Sequence, residues 1–477
     1  MIFHSLDFAA FFLVVVTIYW RLSHRAQNLL LLGASYLFYG WIHPWFVLIM
    51  LVSTTVDYWA AQRMEDDPDN KRRYLGASLV VNLGMLGVFK YFNFFVENVR
   101  DVLGAMGLTV ASPLLELALP AGISFYTFQA LSYTVDVYKG EMHARRNPID
   151  FALFVAFFPH LVAGPIMRAK NLLVQVESAR GWDATKARHG VVLVMWGLFK
   201  KLVIADNVGV IANRVFSQND PAFEVLWAGV FAFGMQIYAD FSAYSDIARG
   251  VARWFGFELV VNFNHPYIAH SPGDFWRRWH ISLSTWFRDY VYIPLGGNRG
   301  HAVVAACTLI TTFLVSGFWH GASWNYVIWG FYHGLLVWGT RTLGRRWALP
   351  EYWPGPLALV QVALTWLAMM AGWLFFRETN GEFLGHFLRL TPMTTMEGEA
   401  AIGLHFFMLA ATWSLPLFIH DLWALARERQ LAPVVWTESR ITGLGLAGVQ
   451  AAGVSVLASL TLVLRSTTSL DFIYFAF

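Results

Sequence analysis

The sequence is poor in charge for its length. Asp, Glu, Lys and Arg make up 14% of its 477 residues, against the roughly 25% that is usual in soluble domains. Hydrophobic residues make up 57%, and a water-soluble globule of this size would expose too much apolar surface. The composition therefore excludes a soluble enzyme and a disordered chain.

Cysteine and excess positive charge are also scarce. The chain has one cysteine, Cys307, so a disulfide within the chain and a cysteine-based metal site are excluded. The 34 Lys and Arg nearly balance the 31 Asp and Glu, which leaves a net charge of +3. That charge is too small and too scattered for the basic groove that nucleic acid requires, so we expect no nucleic-acid partner.

Aromatic and aliphatic residues are abundant instead, with 22 Trp and 40 Phe. This composition is typical of a membrane protein, in which Trp and Tyr settle at the headgroup level. A spanning helix needs about 20 mostly apolar residues. Candidate spans lie at 6–21, 28–42, 45–62, 75–95, 113–137, 150–166, 190–207, 222–240, 303–319, 324–341, 357–376, 404–420 and 441–464.

Two apolar stretches are poor continuous helices. Residues 150–166 contain Pro159 and Pro165, and residues 271–298 carry several arginines. We expect broken or re-entrant segments there, because proline removes a backbone donor and lipid cannot replace it. The sequence thus predicts an all-α polytopic fold of about 11 transmembrane helices plus broken segments. Residues 1–477 are predicted to form a single membrane domain, and residues 378–402 an external or interfacial loop.

Short-loop charge predicts the orientation in the membrane. Lys and Arg concentrate in the loops 21–27, 63–74 and 138–149. Basic loops stay on the cytoplasmic side, so the N-terminus is predicted to lie outside, in the periplasm. The first apolar run has no basic region before it and no small-residue cleavage site after it, so we expect a retained helix rather than a signal peptide.

Polar residues concentrate in the middle third of the chain. His320 follows an apolar run and precedes Gly321, which places an imidazole at membrane depth, with Ser323 and Asn325 as possible hydrogen-bond partners. Such a side chain can exchange a proton near neutral pH. The alternative is a histidine that is hydrogen-bonded only for packing, which is the commoner situation for a lone buried histidine.

A second histidine, His280, follows two arginines. If this stretch is one helix, Trp276, His280 and Ser284 share a face. Arginine beside aromatic residues suits a ligand that bears phosphate or carboxylate. An amphipathic helix that extends its arginines to lipid headgroups is the alternative, and the pattern does not decide between the two.

The remaining histidines are weaker candidates. His160 lies between prolines and can cap freed backbone groups, and His333 is expected to pack on a helix. The spacings HxxxH, HxH and HExxH are absent, so we expect no metal site.

Long motifs resemble the membrane-bound O-acyltransferases, and most closely the bacterial branch that serves alginate O-acetylation. The carrying segments are FFPHLVAGPI (157–166), QIYADFSAYSDIARG (236–250), DFWRRWHISLSTWFRDYVYIPLGGNR (274–299) and VSGFWHGASWNYVIWG (315–330). The segment SFYTFQALSYTVDVYKG (124–140) also fits, so the motifs concentrate in 120–335. The resemblance implies a ring of helices around a central acyl-transfer channel.

The resemblance also implies roles for residues. His320 matches the invariant histidine of the family, and His280 matches the second characteristic one. An acyl group, expected to be acetyl, would pass from a cytosolic thioester such as acetyl-CoA toward an exopolysaccharide, with no tightly bound cofactor. We expect the channel to be lined by Asp274, Trp276, Arg277, Arg278, Ser284, Trp286, Arg288, Asp289, Trp319, Ser323, Asn325, His160 and Tyr133.

The expected setting is the bacterial inner membrane, with lipid around the chain and a periplasmic acetyltransferase as a partner protein. Acyl or D-alanyl transfer to teichoic acid, peptidoglycan or cellulose is an open alternative. A polysaccharide transporter and a non-catalytic scaffold are alternatives from other classes. The transporter would predict repeats with paired broken helices, which the sequence does not contain. The scaffold would tolerate the loss of His320.

Overall fold

The computed structural model describes residues 1–109, 114–348, 350–396, 398–428 and 443–473. These residues form helices and connecting segments without a strand, which confirms the predicted all-α membrane fold. Within them, six helical stretches are long and apolar enough to cross a membrane, namely Pro68–Ala105, Phe223–Trp254, Ala302–His320, Leu357–Arg377, Glu399–Ala426 and Ala447–Leu464. The total of about 11 spans stays a prediction.

The described chain divides into two compact units, and the first comprises residues 1–190 and 248–260. Its helices are α1 (Leu6–Tyr19), α2 (His24–Tyr39), α3 (Phe46–Asp66), α4 (Lys71–Leu86), α5 (Phe92–Ala105), α6 (Ile123–Lys139), α7 (Pro148–Ala156), α8 (Phe158–Leu161) and α9 (Ala169–Glu177). A π-helical turn, Gly87–Tyr91, joins α4 to α5. Buried polar side chains in this unit are hydrogen-bonded to one another. The Asp57 carboxylate on α3 accepts hydrogen bonds from the side chains of Asn82 at 2.9 Å and Ser78 at 2.6 Å, both on α4.

The second unit comprises residues 191–247 and 261–477. Its helices, in whole or in part, are α10 (Ala184–Phe199), α11 (Asp206–Phe216), α12 (Phe223–Trp254), α13 (Pro272–Arg278), α14 (Ile281–Phe287), α15 (Ala302–His320), α16 (Trp324–Arg346), α17 (Leu357–Arg377), α18 (Gly381–Phe387), α19 (Glu399–Glu428) and α20 (Gly443–Leu464). Helices α10 and α12 begin or end in the first unit. That the whole chain forms one domain stays a prediction.

Both segments that were predicted to be broken are broken. Helix α7 ends at Ala156, and Phe157 separates it from the short helix α8. Residues 271–298 form α13 and α14 with an interruption at Trp279 and His280. In the first segment Pro159 stands in the first turn of α8, where the missing N–H costs no helical hydrogen bond.

Helix α12 is longer than the span 222–240 predicted from hydropathy. It continues to Trp254 through Asp246 and Arg249, which end the apolar run in the sequence. Asp246 is paired there with Lys200 of the same unit at 2.7 Å. A buried ion pair allows charged side chains inside the protein where an isolated charge would be excluded.

The prediction of a loop over residues 378–402 is wrong in part. This stretch contains α18 and the start of α19. The Asn380 side chain accepts hydrogen bonds from the backbone N–H groups of Glu382 and Phe383, at 2.9 and 3.4 Å. Such an N-cap stabilises a short helix that hydropathy does not reveal.

Helices α15 and α16 form a tight antiparallel hairpin that carries His320 at its turn. A Cβ added to Gly317 would lie 2.1 Å from the carbonyl oxygen of Tyr326, and one added to Gly330 would lie 2.3 Å from that of Phe313. At Gly321 an added Cβ would lie 2.2 Å from the Tyr326 ring. Glycine at these positions lets the two backbones approach closely, which fixes the position of His320.

Candidate active site

The second unit contains a cavity of about 1050 Å³. Both predicted catalytic histidines, His280 and His320, line it. Its other polar and aromatic lining residues include Trp276, Arg277, Ser284, Arg288, Thr312, Ser316, Arg341, Arg345 and Glu351. A space of this size, apolar with a few convergent polar groups, is the usual form of a small-molecule site.

His280 lies at the break between α13 and α14. Its backbone is left-handed, with φ of 42°, a conformation that costs roughly 1–3 kcal/mol for a residue other than glycine. The prediction that Trp276, His280 and Ser284 share one helical face is therefore wrong, because the helix does not continue through His280. All three nevertheless line the cavity.

An extended segment braces this break. The N–H of Asn264 donates to the Arg278 carbonyl at 2.9 Å, and the N–H of Ile281 donates to the Asn262 carbonyl at 2.9 Å. The Asn262 side chain accepts from the Ser282 hydroxyl at 2.9 Å. These bonds supply partners for backbone groups that a broken helix exposes, and they hold His280 in place.

His320 ends α15 and is enclosed by aromatic rings. Its ring centroid lies 5.1 Å from that of Trp329 and 5.2 Å from that of Phe376. The side chain is nearly buried, with 5% of the residue exposed. An imidazole that is shielded in this way but borders a cavity can contact a ligand at a place from which bulk water is excluded.

Trp319 contacts both histidines. Its ring centroid lies 4.9 Å from that of His320 and 6.3 Å from that of His280. His333 packs behind this wall, against Trp329 at 4.9 Å and Trp276 at 5.0 Å. Gly372 leaves room for it, since an added Cβ there would lie 2.3 Å from the His333 Nε2. His333 thus supports the aromatic wall, on α16 as predicted.

Arginines give the cavity a positive wall. Arg277 pairs with Glu351 at 3.2 Å and Arg288 with Asp289 at 2.7 Å. The hydrogen bond to Asp289 raises the pKa of the Arg288 guanidinium. Arg341 and Arg345 add two more cations from one face of α16. Four guanidinium groups at one cavity suit a ligand that bears phosphate.

The other predicted channel residues of this unit lie outside the cavity lining. The buried Asp274 carboxylate pairs with Arg278 at 3.1 Å within α13. Asn325 donates to the Phe375 carbonyl at 3.1 Å. Trp286 packs against Tyr290, and Asp289 pairs with Arg288. Ser323 directly precedes α16, and Trp319 has been described above.

His160 and Tyr133 belong to the first unit. The His160 Nε2 is hydrogen-bonded to the Gln129 side-chain oxygen at 2.7 Å. The Tyr133 hydroxyl accepts from the backbone N–H of Arg145 at 2.8 Å. Both side chains are buried in that unit. A role for either in a channel stays a prediction.

Sequence reasoning missed Arg341, Arg345, Thr312 and Ser316 as lining residues. Arg341 and Arg345 stand four residues apart near the end of an apolar helix, and this spacing indicates a charged helix face. Thr312 and Ser316 are also four residues apart, on α15, and face the cavity. Small hydroxyl side chains inside an apolar run carry no distinctive pattern.

Chemically, the cavity combines two imidazoles, hydroxyl groups and cations within apolar walls. An imidazole can take a proton from a hydroxyl group as a nucleophile attacks, and return it to a leaving group. The cations can hold an anionic carrier of the group to be transferred. This set is suited to acyl transfer.

Comparisons with known proteins agree with this chemistry. The profile of the membrane-bound O-acyltransferase family matches residues 142–378. The chain is 42% identical over 384 residues to the probable alginate O-acetylase AlgI of Pseudomonas aeruginosa, covering 80% of this chain and 72% of the relative. It is 34% identical over 403 residues to the peptidoglycan O-acetyltransferase of Helicobacter pylori, covering 76% and 74%.

A more distant relative is the teichoic acid D-alanyltransferase of Streptococcus thermophilus, 31% identical over 229 residues that cover 45% of this chain and 55% of the relative. The predicted family is thereby confirmed. The catalytic and channel roles of individual residues stay predictions. The multi-pass membrane chain belongs to the membrane-bound O-acyltransferase family and is an O-acyltransferase.

Proposed function

We propose that this O-acyltransferase moves an acetyl group from a cytosolic thioester toward hydroxyl groups of an exopolysaccharide, and that the polymer is alginate. The observation that carries the proposal is the cavity that His280 and His320 share with four arginines. The 42% identity to a protein named for alginate O-acetylation supports the choice of polymer.

The donor in this proposal is acetyl-CoA or another acyl thioester, held only during turnover. Arg341 and Arg345 bind its phosphates, because arginine binds phosphate in a bidentate manner and remains charged. Arg277 and Arg288 extend the same positive wall. The thioester end then extends along the apolar part of the cavity toward the histidines.

In the chemical step, the oxygen of the accepting hydroxyl attacks the thioester carbonyl carbon. His320 takes the hydroxyl proton, the new carbon–oxygen bond forms and the carbon–sulfur bond breaks. The imidazolium then returns the proton to the departing thiolate, which leaves as a thiol. His280 orients the acceptor or polarises the carbonyl. The rings of Trp319, Trp329 and Phe376 exclude water that would hydrolyse the thioester.

A second candidate acceptor is peptidoglycan. It is favoured by the 34% identity, over three quarters of both chains, to a protein named for peptidoglycan O-acetylation. His320 acts on the donor thioester in the same way for either polymer, since both polymers offer sugar hydroxyls as the final acceptors. Only the group that receives the acetyl differs.

The setting we propose is the bacterial inner membrane, with the N-terminus in the periplasm and a periplasmic acetyltransferase that completes transfer to the polymer. The basic loops 21–27, 63–74 and 138–149 support this orientation. Asn70→Cys on a Cys307→Ala background tests it. An impermeant thiol reagent should leave residue 70 unlabelled in intact cells and label it after lysis; labelling in intact cells overturns the orientation.

The function is tested by deleting the gene from its host and restoring either the native chain or the His320→Ala variant. The deletion should remove acetyl esters from the secreted polymer and leave those of peptidoglycan unchanged. The native chain should restore the esters and the variant should not, at equal membrane levels. Loss confined to peptidoglycan esters would select the second acceptor, and unchanged esters in both polymers would overturn acetyl transfer.

A further inference from the structure

Away from the cavity, a histidine-rich cluster of the second unit joins the segment after α12 to the C-terminal part of α19. The Nδ1 of His265 lies 2.7 Å from the Oδ1 of Asp421. The Nδ1 of His420 lies 3.4 Å from the same oxygen. One donor atom from each of the three residues falls within 4.8 Å of the others.

From this cluster we infer a binding site for one divalent transition-metal cation, with Zn²⁺ as the ion that fits its donors. Two imidazole nitrogens and a carboxylate oxygen are the ligands of zinc sites that keep a fourth, open position. At metal–ligand distances of about 2.1 Å, donor atoms around a tetrahedral ion lie about 3.4 Å apart. The separation between His420 and Asp421 equals that value, and the shorter one to His265 opens by less than about 1 Å when the metal replaces the shared proton.

A tyrosine orients the carboxylate of the cluster. The Tyr238 hydroxyl on α12 donates to Asp421, 2.9 Å from Oδ2 and 3.2 Å from Oδ1. A metal-bound carboxylate usually has such a hydrogen-bond partner, which orients it and tunes its basicity. Asp421 is 2% exposed, so the tyrosine fixes it inside the unit.

The two histidines lie nearer the surface of the unit than the carboxylate does. The side chain of His265 is 17% exposed and that of His420 is 40% exposed. The His420 ring packs on Trp196, with centroids 4.9 Å apart, so its position is set despite the exposure. His265 has a left-handed backbone, with φ of 48°, and its ring is hydrogen-bonded to Asp421. Strained backbone of this kind concentrates at functional sites.

The cluster lies at one end of the segment that braces His280. His265 immediately follows Asn262–Asn264, whose hydrogen bonds hold the break between α13 and α14. A metal bridge from His265 to α19 would therefore fix this segment without touching the reacting groups. The sequence gives no hint of the site, because His265 stands 156 residues from Asp421 and the three ligands meet only in the fold.

Metal binding to the purified full-length chain in detergent tests this inference, and its outcome does not depend on the proposed acetyl transfer. After treatment with a chelator, titration with Zn²⁺ should give one site per chain. Co²⁺ in its place should give the visible absorption of a tetrahedral ion. His420→Ala and Asp421→Asn should abolish the site, and Tyr238→Phe should weaken it by about 10–100-fold.

His386→Ala is the matched control, because it removes a partly exposed histidine that pairs with Asp220 at 2.8 Å and that forms no group of three ligands among the described residues. It should bind Zn²⁺ as the native chain does. His420 is partly exposed, so its removal leaves little unfilled space and keeps the test valid if Asp421→Asn misfolds. No stoichiometric binding by the native chain, or unchanged binding by His420→Ala, overturns the site.

Discussion

The two units bury their histidines in different ways. In the first unit, His160 is fully enclosed and hydrogen-bonded to the amide oxygen of Gln129 at 2.7 Å. In the second, His280 and His320 are also buried, with 1% and 5% of the residue exposed, but they border a cavity of about 1050 Å³. A buried histidine with an amide partner has its hydrogen bond inside the protein, whereas one that faces a cavity beside cations can meet a ligand.

The comparison shows that burial alone does not mark a catalytic histidine. His333 is as buried as His280, with 1% of each residue exposed. Yet its ring lies among Trp276, Trp329 and Tyr332 and does not line the cavity. Access to the cavity is therefore what separates the His280 imidazole from that of His333.

The largest effect is expected for His320→Ala. Removal of a general base typically lowers the rate by about 10²–10⁴-fold. We expect such a loss of acetyl transfer with normal membrane insertion, measured as acetyl content of the secreted polymer at matched protein levels. His405→Ala is the control, because His405 is exposed on α19 of the same unit. Full acetylation by the His320 variant would favour the scaffold alternative.

A smaller loss, about 10²-fold or less, is expected for His280→Asn. Asparagine tolerates the left-handed backbone that His280 adopts, so the break between α13 and α14 is preserved while the imidazole is lost. The rate of transfer by purified protein measures the effect, and circular dichroism checks the fold. An unchanged rate would remove His280 from the mechanism.

Next in size is Arg345→Ala. Loss of one charged hydrogen bond to a phosphate should raise the KM for the donor about tenfold and leave kcat nearly unchanged. The effect should shrink at high salt. Arg389→Ala, which removes an exposed arginine of the same unit away from the cavity lining, should leave KM unaltered. A fall in kcat alone would contradict a donor-binding role.

The smallest effect on activity is expected for His160→Leu. It leaves the Gln129 amide oxygen without its histidine partner and should lower the free energy of unfolding by about 1–3 kcal/mol. Thermal unfolding measures this loss, and transfer per folded molecule should stay at the native level. A loss of transfer with unchanged thermal stability would place His160 in the reaction.

The sequence predicted most of the fold because membrane helices are encoded in long apolar runs. It also singled out His320 and His280, which both line the cavity, since their motifs are long and contiguous. It did not identify Arg341 or Arg345, because these line the cavity only once α16 is packed beside α13 and α15. Cavity walls assembled from distant helices leave no local pattern.

The sequence pattern also did not predict the exact break at His280. Helical spacing placed Trp276, His280 and Ser284 on one face, but the segment 262–264 offers the backbone around Trp279 other hydrogen-bond partners. Tertiary bonds of this kind override local periodicity. The cluster of His265, His420 and Asp421 is a further example, since it joins residues from two distant stretches.

The most direct test of catalysis by His320 measures donor binding and acetyl transfer in one sample. Purified native chain and His320→Ala in lipid nanodiscs receive acetyl-CoA labelled in the acetyl group, and bound donor and transferred acetyl are followed over a single turnover. For the variant we expect donor binding within about twofold of native and transfer lower by about 10²–10⁴-fold. Native transfer by the variant, or a loss of transfer that only matches a loss of donor binding, would contradict it.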